Sequence, residues 1–97
     1  MSHNDRILEG EEGLRVYRIL FTASPRVYAF KLAFVLREAA EGPRVAHLPK
    51  ARQLLLEEAK AACAHIPADA PAYQRHMWDY TMSDLRQIER RLGQATQ

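Results

Sequence analysis

The stretch Ser24-Pro25-Arg26-Val27-Tyr28-Ala29-Phe30-Lys31-Leu32-Ala33-Phe34-Val35-Leu36-Arg37-Glu38-Ala39-Ala40-Glu41-Gly42 decides how this chain folds. It opens on a helix-start signal. A serine before the first turn can accept from the free N–H groups there, and proline suits the first helical position. Gly42-Pro43 then stops the helix near Glu41. Turning 100° per residue, Arg26, Lys31, Arg37, Glu38 and Glu41 fall within one arc of about 140°. Val27, Phe30 and Phe34 lie inside the same arc. Tyr28, Leu32, Val35, Leu36 and Ala39 form a second apolar face on the other side. A helix apolar on two sides is normally buried. Two readings follow. Either this is the central helix of the domain, or Val27, Phe30 and Phe34 pack on another chain while Arg26, Lys31 and Arg37 orient it and attract an acidic partner. The second is the preferred reading, because aromatics rimmed by arginine are the usual make-up of an interface core.

Outward from this segment the chain reads as helix. Leu14, Val16, Tyr17, Leu20 and Phe21 share one side of a helix over 14–23, with Arg15, Arg18 and Thr22 opposite. The β-branched and aromatic content of 14–22 keeps an edge strand as the alternative there. Residues 5–12 can add a short turn capped by Asn4 or Asp5. Gly13, Gly42 and Gly93 fall at helix boundaries. Downstream, Leu48, Ala51, Leu55, Ala59, Ala62 and Ile66 recur at steps of three and four, which predicts a helix over 49–65. The connector Pro67-Ala68-Asp69-Ala70-Pro71 precedes a last helix over 70–92, capped by Asp69. Met77, Trp78, Thr81, Leu85, Ile88 and Leu92 form its apolar arc. On its flank, Tyr73, His76 and Tyr80 make a second, weaker contact strip. Four helices with short connections predict an all-α, four-helix bundle-like fold in one domain spanning 1–97.

The composition narrows the function classes. The chain has 97 residues, of which 47% are hydrophobic and 27% charged, close to the globular average, with a net charge of +2. That charge does not by itself announce a nucleic-acid binder. The stretch between Gly13 and Arg37 nevertheless carries Arg15, Arg18, Arg26, Lys31 and Arg37 with no acidic residue, interleaved with aromatics. Such a pattern suits single-stranded nucleic acid or an acidic protein surface, but the preferred reading is that the aromatics fill the core while the arginines solvate the surface or pair with Glu57, Glu58 or Asp79. The helix start at Ser24-Pro25-Arg26 adds an anion-site candidate. A helix-turn-helix around Ser24-Pro25 is disfavoured, since the second helix is too apolar to read bases. A single cysteine, Cys63, argues against a cross-linked secreted scaffold. The polar N-terminus lacks a signal-peptide core, and no apolar run approaches the roughly 20 residues of a membrane span. The cytoplasm is the expected location. Arginine greatly outnumbers lysine, which fits a GC-rich bacterial source.

Chemistry is sparse. His3, His47, His65 and His76 show no i, i+4 pairing, and Cys63 and His65 point to different sides of a helix, so no metal site is expected. His76, Asp79 and Tyr80 are the one compact acid–base cluster, and a packing margin or partner contact explains them better than catalysis. Gly10-Glu11-Glu12-Gly13 is acidic and would repel phosphate. No cofactor is expected. The reading is a non-enzymatic helical accessory or adaptor protein that self-associates, most simply as a homodimer, and binds another protein. A nucleic-acid-binding regulator and a non-catalytic subunit of an enzyme complex are the alternatives.

Overall fold

The computed structural model describes residues 8–95, so His3, Asn4 and Asp5 lie outside the described residues. Four long helices and one single-turn helix follow in order: α1 Gly10–Ala23, α2 Pro25–Ala40, α3 Pro49–Cys63, α4 Ala72–Arg75 and α5 Met77–Ala95. No strand occurs among the described residues, and 14–22 is helical. The all-α class and the bundle therefore stand as read. The helical reading of 14–22 holds because Leu14, Tyr17, Leu20 and Phe21 all meet the same core from one side.

Several boundaries depart from expectation for local reasons. Helix α1 starts at Gly10, so Gly13 lies inside it instead of at its edge. Residues 8 and 9 fold back over this turn: Leu8 N–H donates to the Tyr17 hydroxyl at 3.0 Å. A Cβ at position 13 would come within 2.5 Å of the Leu8 carbonyl oxygen, so only glycine lets the chain pass so close. The Ser24 side chain makes no capping hydrogen bond. Its carbonyl takes over that task, accepting from Val27 N–H at 3.1 Å and Tyr28 N–H at 3.2 Å. Asp69 does not cap the last helix either. Pro71 stays extended, with ψ 150°, so the helix begins after it and not at residue 70. The expected single helix over 70–92 is thus a turn, α4, followed by α5, with His76 between them. At His76 the torsions remain helical but tighten, with ψ −15°, a local narrowing toward 3₁₀ geometry.

Helix α2 is the central element. Its end meets the start of α3, where Arg52 Nε donates to the Ala40 carbonyl at 2.8 Å, so the two run antiparallel. An ion pair between Glu11 and Arg44 sets the start of α1 beside the loop leaving α2, which makes those two antiparallel as well. Consequently α1 and α3 run parallel, and Arg18 of α1 reaches Glu58 of α3 at 2.7 Å. Helix α5 packs back along α3. Leu56 meets Leu85 and Ile88 in one cluster with Ala40, and Cys63 lies near Thr81 at the opposite end. Ala29, Leu32, Ala33, Val35, Leu36 and Ala40 are the buried residues of α2. Thr81, fully buried, donates its hydroxyl to the Met77 carbonyl at 2.7 Å and so leaves no orphan polar atom in the core. The molecule measures 52 × 28 × 21 Å.

Candidate functional site

The second apolar side of α2 is only partly covered. Val27 is 69% exposed, and Phe30 and Phe34 are half-buried against the margin of the core. The covering comes from the α4–α5 segment, which reaches this side of α2 with few residues. Phe30 meets Tyr73 edge to face, with ring centroids 5.3 Å apart, and lies 6.1 Å from Phe34 on the other side. This is the offset geometry that the aromatic quadrupole favours. One turn further along, the Arg37 guanidinium sits 5.6 Å from the centre of the Tyr80 ring, and His76 lies 6.3 Å from that ring. The two strips read from the sequence, Val27-Phe30-Phe34 and Tyr73-His76-Tyr80, are therefore one surface. Tyr73 and Tyr80 present 62% and 53% of their area to solvent within it.

Arg37 is not the free rim charge that the sequence suggests. It donates to Asp84 of α5 through Nη2 at 2.8 Å and Nε at 3.3 Å, and Nη1 lies 3.5 Å from the Met77 sulfur. The pair is mostly enclosed, with side-chain exposures of 24% and 28%, so Arg37 fastens α5 to α2. Arg26 is exposed and Lys31 half-buried on the same arc as Val27. Arg18 is engaged with Glu58, which lowers the net basic field of the 14–37 stretch. The anion-site candidate at the start of α2 is left with few donors, since Pro25 has no N–H and the Val27 and Tyr28 N–H groups bond to the Ser24 carbonyl.

A second feature lies at the far end of α2, where the loop 41–48 turns back against α1. A cleft of about 610 Å³ opens there, with Leu14, Val35, Ala39, Val45 and Leu55 among its walls and Glu9, Glu11, Glu38 and Arg44 at its rim. Partial burial, reinforced by the charges of Glu9 and Glu41, raises the Glu38 carboxyl above its ordinary range. The sequence offered no direct sign of this cleft, because its walls come from α1, α2, α3 and a loop.

Other candidates stay apart. Among the described residues, no group of three His, Cys, Asp or Glu side chains could hold a metal ion. His65 meets Phe21 edge to face at 5.2 Å and so packs α1 against the end of α3. Cys63 is buried, and desolvation raises its thiol above the usual range, against smaller opposing effects of Thr81 and Arg37. No side-chain hydrogen bond joins His76 to Asp79 or Tyr80 among the described residues; the Tyr80 N–H donates to the His76 carbonyl at 3.1 Å as an ordinary main-chain bond. The side chains of His76 and Tyr80 meet ring to ring, which suits a surface better than proton transfer. Sequence reading missed one participant, Asp84. Asp84 lies one helical turn after Tyr80, a spacing that could have flagged it, but its partner is 47 residues away. Trp78, expected in the apolar arc of the last helix, is 40% exposed, because it sits on the edge of that arc. No helix is long and apolar enough to cross a membrane among the described residues. Compared with protein-family models, with curated proteins and with solved structures, the chain matches none of them.

Proposed function

We propose that this chain is a non-enzymatic, cytoplasmic accessory protein that works through protein–protein contact, with the joined aromatic surface of α2, α4 and α5 as its contact element. The observation that supports this reading is the edge-to-face contact of Phe30 and Tyr73 at 5.3 Å, which fuses two separate apolar strips into one exposed patch. Exposed patches of this make-up, aromatic at the centre and basic at the rim, are characteristic of partner-binding surfaces. With only its own copies present, the surface pairs with itself in a two-fold homodimer. Arg26, exposed at the rim, repels its counterpart in such a pair. An acidic helical partner therefore competes favourably with the second copy, and an adaptor role follows.

Val27 provides the test, since at 69% exposure it can be changed without disturbing the core. Light scattering of the intact chain at micromolar concentration is expected to give twice the chain mass. Val27→Asp is expected to give a folded monomer with unchanged helicity. Loss of one interface anchor costs about 2 kcal/mol, and the substitution removes one from each protomer, so the dimer is weakened by about 4 kcal/mol, or about 1,000-fold in its dissociation constant. A wild-type chain that stays monomeric at high concentration would refute self-association. Salt-sensitive binding to single-stranded DNA or RNA that Arg26→Glu abolishes would favour the regulator reading instead.

A further inference from the structure

We propose that the cleft between the start of α1, the end of α2 and the loop 41–48 is a binding site for a small amphiphilic amine, an ammonium group carried on an apolar body. The volume, about 610 Å³, lies within the 300–1,000 Å³ usual for small-molecule sites, and such sites are apolar with a few placed polar groups. This cleft has that make-up. Leu14, Val35 and Leu55 from three different helices provide an apolar floor, while Glu9 and Glu38 stand at the rim.

The charge balance selects the ligand class. Of the three rim carboxylates, Glu11 is neutralised by Arg44. The other two, Glu9 and Glu38, have no ion-pair partner among the described residues, and Glu9 disfavours the ionised form of Glu38. A cation seated beside them offsets that repulsion and gains a charge-assisted contact, whereas an anion adds to the repulsion and a neutral ligand leaves it in place. A purely apolar ligand would fill the floor but leave the carboxylates partly desolvated and unpaired, which is costly. A hydrated metal ion would satisfy the carboxylates but waste the floor. Only a molecule with both parts uses both halves of the cleft. Val35 and Glu38 of the cleft follow directly on Phe34 and Arg37, but no residue of the aromatic contact surface lines the cleft, and this inference does not depend on that surface.

Dansylcadaverine, which joins a primary ammonium to an apolar naphthalene through a pentyl chain, is a suitable probe. Titrated into the full-length chain, it is expected to show saturable fluorescence enhancement, while its N-acetylated, neutral counterpart binds about tenfold more weakly. The double variant Glu9→Gln/Glu38→Gln is expected to weaken dansylcadaverine by about tenfold and leave the acetylated compound unchanged. Both positions are exposed, so folding is preserved, and Glu89→Gln on α5 serves as the remote control. Methyl chemical shifts should move at Leu14, Val35 and Leu55. Equal binding of the charged and neutral compounds, insensitivity to the double variant, or no saturation up to millimolar probe would each overturn the proposal. So would shifts confined to Val27 and the surroundings of Phe30 and Tyr73, because they would place the probe on the aromatic surface.

Discussion

Removing the Arg37–Asp84 pair tests how α5 is held. Few residues join α2 to α5 directly, and this pair is a polar tie between them, supplemented by Arg37 over Tyr80. Both donors reach the same carboxylate oxygen, Oδ2, at 2.8 and 3.3 Å, so the geometry is single-point and not a fork on two oxygens. Exposed pairs couple by about 0.2–1 kcal/mol, whereas breaking a fully buried pair costs about 3–5 kcal/mol. At 24% and 28% side-chain exposure the pair lies between these limits, which places its coupling near 1 kcal/mol. Arg37→Ala also loses the contact with Tyr80, worth about 0.5–1 kcal/mol at a partly exposed site, together with the packing of its stem. It should therefore destabilise by about 2 kcal/mol and Asp84→Ala by about 1 kcal/mol, with the double variant about 1 kcal/mol less destabilised than their sum. For a domain of this size, each kcal/mol lowers Tm by about 4–8 °C. Denaturant unfolding followed by circular dichroism on all four proteins closes the cycle, and repetition in about 1 M salt should shrink the coupling only modestly because the pair is mostly enclosed. Additivity within about 0.3 kcal/mol would show that the pair does not tie α5 to α2 and would refute the reasoning.

Gly93→Ala should stabilise by about 0.5–1 kcal/mol, since a Cβ there meets nothing within 4 Å inside a helix. Gly13→Ala, also helical, should destabilise instead, because its Cβ would lie 2.5 Å from the Leu8 carbonyl oxygen; thermal unfolding of the two variants should give shifts of opposite sign. Cys63 should resist alkylation in the native chain and react promptly once unfolded, since burial keeps it a thiol. Its folded pKa is raised above the unfolded value, so its stabilising contribution is present at neutral pH and is lost as pH climbs through the folded value. Cys63→Ala should consequently flatten the alkaline end of the stability profile, and an unchanged profile would count against the assignment.

Local sequence signals placed the long helices in their order but ran α4 and α5 together as one element. Periodicity at steps of three and four, with Pro25, Pro49 and the Gly42-Pro43 stop as punctuation, located α1, α2 and α3 to within a few residues, because those signals act within one or two turns. It also determined that α2 is apolar on two sides. What it did not determine was how those sides are filled, since covering α2 is done by residues distant in the chain. Tyr73 comes to rest against Phe30, and Asp84 takes up Arg37, a charge that patterning alone assigns to the rim. The cap at Ser24 shows the same limit on a smaller scale: the residue type permits a side-chain cap, but the backbone carbonyl satisfies the N–H groups. Gly13 reads locally as a helix boundary and is in fact the point where the chain passes over its own helix. Local signals fix where helices run. Which of their faces remain open, and therefore where this protein can meet another molecule, was decided only by tertiary packing, because exposure depends on neighbours that no short window of sequence contains.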